Sequence, residues 1–341
     1  MKFRRLSMSA VAAIVFVVAA NSVFSQTPTP IPTPNPELAP AIKLLREGDG
    51  QKAIDPLKKA VKKNKLDGEA WYYLGMAYLQ VSDFKKSSEA FKNAIEARAD
   101  LAAPAHAGYA YALVLRNKLE TATGEANRAL AIDTKNIEAL YTLAIVDLRK
   151  GAREESVKKA DQIIALKPDF GAAYLLKSQA FVAYNGGVMY RNTNDSKQER
   201  QRDYKSAADA LEKYLQLETD PVAAQTWKEQ LETLKLYLGD QSVKNEIYTG
   251  KDVVTKARVL AKPEPSYTEV ARSQQIEGTV VIRCVFASDG RVTHFLILQA
   301  LPYGLTERAI AAAKKIRFIP ATRDGKPVSM WIQLEYNFNL Y

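Results

Sequence analysis

The sequence contains 341 residues, of which 47% are hydrophobic and 25% charged, and its formal net charge is +10. This composition excludes a largely disordered chain, and the length predicts two or more domains because one helical core does not grow so large. The basic residues form no long block interleaved with aromatic residues, which argues against nucleic-acid binding. The one cysteine, Cys284, cannot form a disulfide within the chain and is predicted to be a small buried side chain on a strand.

Residues 1–25 have the layout of a secretory signal peptide. Basic residues come first, an apolar stretch runs from Met8 to Ala20, and small residues continue up to Ser25. This order predicts export and removal of the segment, and an uncleaved N-terminal anchor is the alternative. Residues 26–36 then alternate proline with other residues, which predicts an extended spacer between the leader and a folded body.

The central part of the chain contains an internal repeat. Three similar segments begin at Gly68, Ala103 and Ile137, which are 35 and 34 residues apart. In the first segment the recurring large, small and aromatic positions are occupied by Trp71, Leu74, Gly75, Tyr78, Ser87, Phe91 and Ala94. Small residues let paired helices approach closely, and each helical hairpin leaves an apolar face that only a neighbour covers. The pattern resembles the tetratricopeptide repeat (TPR) family, so an α-solenoid is expected.

The predicted array covers residues 37–238. It includes a degenerate first unit from Glu37 to Leu66 and a fifth unit that begins at Gly171. The fifth unit is interrupted by an insertion at 185–202, which is polar and is predicted to be a loop. A final amphipathic helix, Val222 to Leu238, is expected to cap the stack.

The resemblance to TPR proteins implies a concave groove that binds a peptide or a protein. In the family this groove is lined by the first helix of each pair. The residues that match its lining positions are Tyr72, Met76, Tyr111, Tyr141 and Ile145. They are expected to form an apolar and aromatic surface. An array that serves only as a structural spacer is the alternative.

Beyond about residue 250 the helical period gives way to the alternation typical of strands. Residues 239–262 are predicted to be a linker or arm that includes a strand candidate. The segment 263–341 then reads as helix, strand, strand, helix, strand. Its first two strands meet at Asp289-Gly290, a pair that favours a hairpin because glycine accepts positive φ. The second helix is predicted over Leu305 to Ile316.

The segment 263–341 resembles the TonB C-terminal domain. The family's Gly-x-Val-x-Val strand corresponds to Gly278–Ile282, with isoleucine at its last position, and its Asp-Gly-x-Val turn corresponds to Asp289–Val292. Its most specific signature, Phe-x-Pro-Ala-x-x-Asp-Gly-x-Pro-Val, is unbroken over Phe318–Val328. The resemblance implies a three-stranded antiparallel sheet backed by two helices. The expected architecture is therefore a TPR-like α-solenoid followed by a small α+β domain.

The resemblance also implies a binding edge on the last strand, which receives an extended segment of a partner by β-augmentation. The alternate residues of this predicted edge strand are Val328, Met330, Ile332, Leu334, Tyr336 and Phe338. Closure of the same edge by self-association, which would give a homodimer, is the alternative.

No motif in the sequence indicates an enzyme, a cofactor or a bound metal. The two histidines, His106 and His294, are predicted to be structural. The sequence therefore predicts a non-enzymatic periplasmic adaptor that binds proteins or peptides of the cell envelope, such as the N-terminal segment of an outer-membrane receptor. It contacts a membrane only through its N-terminus if the leader is uncleaved. The alternative is an energy transducer anchored in the inner membrane and facing the periplasm, although the leader lacks the histidine of known TonB transducers.

Overall fold

The structure, a computed structural model, describes residues 35–97, 101–188, 196–239, 247–250 and 253–340. The chain divides into two units between Lys177 and Ser178. We call the described residues 35–177 the repeat unit and the described residues 178–340 the C-terminal unit.

The repeat unit is built from consecutive helices joined by short turns. A 3₁₀ turn at Pro36–Leu38 precedes them. The helices are α1 (Ala39–Arg46), α2 (Gly50–Lys63), α3 (Gly68–Gln80), α4 (Phe84–Ala97), α5 (Ala102–Leu115), α6 (Leu119–Ile132), α7 (Ile137–Arg149) and α8 (Arg153–Leu166). Helix α9 (Gly171–Val188) contains the division between the units. Helices that are neighbours in sequence pack against each other, which confirms the predicted solenoid.

Equivalent residues perform the same packing task in successive repeats. The Ser87 hydroxyl on α4 donates to the carbonyl of Gly75 on α3 at 2.9 Å. Twelve residues also separate Ser156 on α8 from its acceptor on α7, the Ala144 carbonyl, at 2.8 Å. At this position a serine is small enough to let the second helix of a pair lie close to the first. Its buried hydroxyl has a hydrogen-bond partner in a carbonyl of that first helix.

The C-terminal unit combines helices with two sheets. Its helices after α9 are α10 (Ser196–Leu217), α11 (Pro221–Tyr237), α12 (Glu269–Ser273) and α13 (Leu305–Ala313). Its strands are β1 (Ile247–Tyr248), β2 (Arg258–Ala261), β3 (Gly278–Phe286), β4 (Val292–Gln299), β5 (Arg317–Ile319), β6 (Ala321–Arg323) and β7 (Lys326–Phe338). The predicted order of helix, strand, strand, helix, strand is present, with short strands added between its members.

The main sheet has the strand order β1-β7-β3-β4, and β6 pairs with the start of β7. Strands β7, β3 and β4 form the expected antiparallel core, whereas β1 runs parallel to β7. Strands β2 and β5 form a separate antiparallel ribbon. Two hairpin turns use glycine with positive φ, at Gly290 (+85°) and Gly325 (+74°), because side-chain-bearing residues are disfavoured there.

Several predicted boundaries differ from the structure. Helix α9 continues to Val188 and α10 begins at Ser196, so the predicted polar loop at 185–202 is helical at both ends, and residues 189–195 lie outside the described residues. The segment 239–262, predicted as a linker or arm, contains β1 and β2. Residues 1–34, on which the predicted leader and most of the spacer fall, also lie outside the described residues.

The predicted capping helix contacts a strand as well as the helix before it. Helix α11 nearly coincides with the predicted range, and it packs against α10 and also against the strand β4. Helix α13 packs against β3. The sheet is therefore contacted both by the helices within the TonB-like segment and by a helix that precedes it. No helix in the described ranges is both long enough and apolar enough to cross a membrane.

Candidate functional site

The predicted partner-binding strand is present as β7, a strand of 13 residues. Its register with β3 runs without interruption from the pair Met330–Phe286 to the pair Phe338–Gly278. On its opposite edge, β1 pairs only with Ser329 and Met330. Because β1 has two residues, β7 is the last long strand that the described part of the chain forms on this side of the sheet.

The side chains predicted for this strand mostly point into the core. Met330, Leu334, Tyr336 and Phe338 are buried, and Val328 and Ile332 are partly exposed. The Phe338 ring, for example, lies edge-on to Tyr267 with 5.4 Å between ring centroids. These residues therefore hold the strand in place, and any recognition along its edge depends on the main chain. Their role in partner binding stays a prediction.

Lys262 contacts the main chain of β7. Its Nζ donates to the carbonyl oxygen of Glu335 at 2.6 Å. The same ammonium lies 4.4 Å from the centroid of the Tyr336 ring, within the range of a cation–π interaction. Burial raises the pKa of Tyr336, so this ring stays neutral. No sequence pattern indicates this contact, because Lys262 and Glu335 are 73 residues apart.

The second face of the sheet carries Trp331 and Arg283, and α10 and α11 contribute aromatic rings to it. Trp331 stacks on Tyr237 with 4.0 Å between ring centroids. The buried guanidinium of Arg283 donates to the Tyr204 hydroxyl at 3.0 Å and lies 5.3 Å from the centroid of the Tyr237 ring. Within the described residues its second terminal nitrogen, Nη2, has no hydrogen-bond partner. Burial of the Arg283 charge costs free energy, which its hydrogen bond to Tyr204 partly offsets. This face of the sheet is therefore held by a polar contact as well as by apolar packing.

The opposite edge of the sheet is occupied by one side chain. Gln230 on α11 donates through Nε2 to the carbonyl of Phe295 at 2.6 Å. Its Oε1 accepts from the amide of Ile297 at 3.3 Å. These two bonds match what a neighbouring strand would offer to β4. Helix α11 thus covers part of the β4 edge, and the two long edges of the sheet differ in chemistry.

The residues predicted to line the TPR groove are all buried. Tyr72, Met76, Tyr111, Tyr141 and Ile145 are each at most 4% exposed. These five side chains therefore take part in the packing between the helices. Ring contacts connect them to their neighbours, since Tyr72 packs on Phe91 and Tyr111 on Tyr141. Whether a partner binds above them stays a prediction.

Helix approach in the repeat unit depends on glycine around one phenylalanine. Phe91 on α4 is fully buried. A Cβ atom at Gly75 would lie 2.9 Å from its ring, and one at Gly108 would lie 2.6 Å from it. Real Cβ contacts are not this short, so both positions require glycine for the present packing.

Each of the two histidines contacts a polar neighbour. His106 Nδ1 lies 2.7 Å from the Glu125 carboxylate, which also contacts Arg128. His294 Nδ1 lies 2.9 Å from the Thr293 hydroxyl, and burial lowers the pKa of His294. Both contacts suit the structural role that the sequence predicts. The part of the chain that the structure describes contains no group of histidine, cysteine and carboxylate side chains suited to a metal.

Cys284 is fully buried, as predicted, and burial raises the pKa of its thiol to about 12. A thiol with this pKa is almost entirely protonated near neutral pH, and the thiolate is the reactive form. Cys284 is therefore an inert part of the core.

Comparison with known proteins agrees with this architecture. Residues 263–340 match the family described as Gram-negative bacterial TonB protein C-terminal, and residues 38–81 match a tetratricopeptide repeat family. Protein TonB of Klebsiella pneumoniae is 32% identical over 80 residues, which are 24% of this chain and 33% of that protein. Protein TonB of Klebsiella aerogenes matches to the same extent. The match thus spans about a third of the curated relatives' length.

Solved structures of low sequence identity resemble part of the chain. The crystal structure of MamA is 23% identical, with a TM-score of 0.41, and the alignment covers 52% of this chain and 96% of that one. PilF of Pseudomonas aeruginosa is 14% identical, with a TM-score of 0.46 and coverage of 65% and 88%. A thermophilic TPR protein of Thermus thermophilus is 16% identical, with a TM-score of 0.46 and coverage of 59% and 97%.

The protein therefore joins TPR repeats to a TonB C-terminal domain. Both are protein-interaction folds, and neither is an enzyme fold. The sequence motifs were sufficient to identify these two parts. They did not reveal the residues that distinguish the two edges of the sheet, Lys262 and Gln230.

Proposed function

We propose that this protein is a periplasmic adaptor in which β7 pairs with an extended segment of an envelope protein. One observation carries the proposal: among the described residues β7 is the outermost long strand of the TonB-like sheet, and β1 pairs with two residues of its edge. An incoming segment would continue along β7 beyond Met330. The N-terminal segment of an outer-membrane receptor is the partner that the family resemblance favours.

The contact of Lys262 with Glu335 bears on how such a segment binds. A pairing strand needs main-chain groups of β7 as hydrogen-bond partners, and the Lys262 ammonium already bonds one carbonyl there. The segment must therefore displace Lys262 or end before it. Because Lys262 is exposed, its displacement returns the ammonium to water at little cost.

The pairing is testable by disulfide trapping. Glu335→Cys and Asn337→Cys place thiols at exposed positions on β7, and Cys284 gives little background because its thiol is buried with a pKa of about 12. Each variant would be mixed with peptides copied from receptor N-terminal segments, with a cysteine moved one residue at a time. Strand pairing predicts cross-links that alternate with a period of two.

The matched control is Lys58→Cys, which is also exposed but lies on α2 of the repeat unit. It should trap every peptide equally weakly. Cross-linking at β7 without the alternation, or at the level of this control, would disprove pairing along β7.

The repeat unit is proposed to bind a second protein. The five buried residues would not contact the partner directly. They would hold in place the helices whose surface binds it. The double variant Tyr72→Ala/Tyr111→Ala should therefore lose partners that co-purify with the native protein. If every partner remains bound, the array is a spacer.

The location is tested by the intact mass of the protein and by fractionation of its native envelope. A soluble species that lacks about 25 residues, the usual extent of a signal peptide, supports the periplasmic adaptor. A full-length species in the membrane fraction instead favours the alternative, an anchored energy transducer for outer-membrane transport.

A further inference from the structure

The ribbon formed by β2 and β5 exposes apolar residues at the surface of the C-terminal unit. Val259 and Leu260 of β2 are 45% and 56% exposed, and Ile319 of β5 is 43% exposed. On one edge β2 pairs with β5, and no described strand pairs with its other edge. An exposed apolar strand with one unpaired edge is a template for another strand.

The ribbon is held firmly in position. Phe318 of β5 is buried and stacks on Phe286 of β3, with 4.1 Å between ring centroids. Thr255, just before β2, exchanges main-chain hydrogen bonds with Thr322. The unpaired edge of β2 is therefore presented in an extended conformation before any partner binds, which lowers the entropic cost of pairing.

The surroundings of the ribbon are strongly basic. Residues 253–262 and 314–326 contain eight lysines and arginines but only one acidic residue, Asp324. All eight basic side chains are exposed. Within the described residues, one of these eight basic side chains forms an ion pair: Arg323 lies 3.8 Å from Asp324. The remaining positive charge is therefore available to an acidic partner.

The geometry argues against a membrane as that partner. Val259 lies opposite Phe318 in the ribbon and Arg258 lies opposite Ile319. Residues opposite each other share a face and successive residues alternate, so the exposed side chains of Val259 and Ile319 lie on opposite faces. A flat bilayer surface cannot take up both faces together, whereas a strand added to the edge covers both with its alternating side chains.

Pairing of β2 with the β2 of a second copy is also disfavoured. It would bring Lys256, Arg258 and Lys262 of one copy next to the same residues of the other. Like charges placed opposite each other destabilise a strand pair.

We propose that the unpaired edge of β2 is a second docking edge, which binds an extended acidic segment of another protein. The segment would add a strand beside β2, with its carboxylates near the basic side chains of the ribbon. This edge belongs to a different sheet from β7, although Lys262, directly after β2, also contacts the main chain of β7.

The test uses the full chain and a fluorescent ten-residue peptide of alternating glutamate and valine as the probe. Anisotropy should report saturable binding that weakens with added salt, because exposed charges are screened. Two further probes carry N-methyl groups on alternate amides, either at odd or at even positions. Only one of these two patterns should abolish binding, because a strand uses one edge of its amides to pair. Equal binding of both methylated probes would mean simple charge attraction and would overturn the proposal.

Charge reversal then locates the site. The variant Arg258→Glu/Arg317→Glu should bind the probe on the order of tenfold more weakly, as expected for charges at the edge of a contact. The matched control Lys58→Glu/Lys59→Glu makes the same charge change on exposed residues of α2 and should bind as the native chain does. Circular dichroism should be unchanged in both variants, since the four side chains are exposed.

Three further outcomes would refute the proposal. In the first, the Arg258→Glu/Arg317→Glu variant binds the peptide as well as the native chain does. In the second, the native chain shows no saturable binding. In the third, the native chain binds phosphatidylglycerol vesicles but not the peptide, and the two substitutions weaken its binding to the vesicles. The trapping experiment on β7 gives a separate readout. If a variant loses probe binding while the β7 cross-links stay unchanged, the result bears on the β2 proposal and not on the β7 proposal.

Discussion

The repeat unit and the C-terminal unit are stabilised in different ways. In the repeat unit, contacts join helices that are close in sequence, such as the bond from Ser87 to Gly75, twelve residues apart. In the C-terminal unit, several polar contacts also join residues that are far apart, such as Arg283 and Tyr204, separated by 79 residues. The repeat unit is therefore stabilised by contacts between helices that are close in sequence. The C-terminal unit also depends on a few contacts between residues that are far apart in sequence.

This difference has a consequence for mutation. A local defect in a repeat array weakens one interface between neighbours, because each repeat contacts only the adjacent ones. A lost long-range contact in the C-terminal unit instead releases a whole helix from the sheet. Four predictions test this contrast.

The largest effect is expected from Phe91→Ala in the repeat unit. The change opens a cavity where α3, α4 and α5 meet, and substitutions of this kind cost about 3–5 kcal/mol. Urea unfolding followed by circular dichroism measures the loss. Because Phe91 belongs to the repeat unit, the amide exchange of β3 should stay slow. Faster exchange in β3 would show that the two units do not respond separately.

A glycine pair provides the control for that interface. Gly108→Ala places a methyl group 2.6 Å from the Phe91 ring, and overpacking of this kind costs about 1–3 kcal/mol. Gly124 lies on α6 with no atom within 4 Å of an added Cβ. Gly124→Ala should therefore stabilise the chain by up to about 1 kcal/mol through helix propensity alone.

The next effect concerns the contact of α11 with β4. Gln230→Ala leaves the carbonyl of Phe295 and the amide of Ile297 without their partner, which costs about 1–3 kcal/mol where such groups stay buried. The amide of Ile297 should then exchange faster. Gln225→Ala is the matched control, because Gln225 is exposed on the same helix. Equal exchange rates at Ile297 in both variants would contradict the bridging role of Gln230.

A smaller effect separates the two members of the buried polar contact. Tyr204→Phe removes the acceptor of the Arg283 guanidinium and should cost about 1–3 kcal/mol, since the charge stays buried with less compensation. Arg283→Met removes the charge itself and should cost less, because apolar replacement of a buried charge is often neutral or stabilising. Guanidinium unfolding of the two variants compares them. The reverse order would mean that Arg283 contributes more to stability than its burial costs.

The fold was largely predictable from the sequence because its signals are local. Trp71, Gly75 and Phe91 fall at fixed spacings within one helical pair, so the repeat can be recognised without knowledge of the rest of the chain. The same holds for Asp289-Gly290, whose turn depends on two adjacent residues. The insertion at 185–202 misled the prediction because its polar composition resembles that of a loop, while the structure continues α9 and starts α10 within it.

The candidate sites were less predictable because they depend on long-range contacts. Nothing in the neighbourhood of Gln230 indicates that its amide reaches β4, and nothing near Lys262 indicates a contact with Glu335. The groove residues Tyr72 and Tyr111 follow the family pattern in sequence, yet their exposure depends on everything that packs over them. A pattern fixes where a residue lies on a helix, but not whether the residue is covered.

The smallest predicted effect tests one residue of the repeat unit through pH. Burial raises the pKa of Glu138, on the first turn of α7, above its ordinary value. A carboxyl group whose pKa is raised in the folded state destabilises that state when it is charged, and less so when it is protonated. Its contribution to stability is therefore fully present below the unfolded pKa of about 4.3 and is lost as the pH rises through the folded pKa. Glu138→Gln should thus stabilise the chain at pH 7, by less than about 1 kcal/mol, and make little difference at pH 4.

Glu120 on α6 provides a control of opposite sign. A backbone hydrogen bond at its own amide and the nearby Lys150 lower the pKa of Glu120, so its charged form is favoured in the folded state. Its contribution is present above the unfolded pKa and is lost as the pH falls through the folded pKa. Glu120→Gln should therefore slightly destabilise the chain at pH 7. Urea unfolding of both variants at pH 4 and pH 7 measures the two differences, and the same sign for both at pH 7 would show that burial does not govern Glu138. Burial raises the pKa of Tyr72 on α3, and the negative charge of Glu138 raises it further, so α7 and α3 are coupled electrostatically across two repeats.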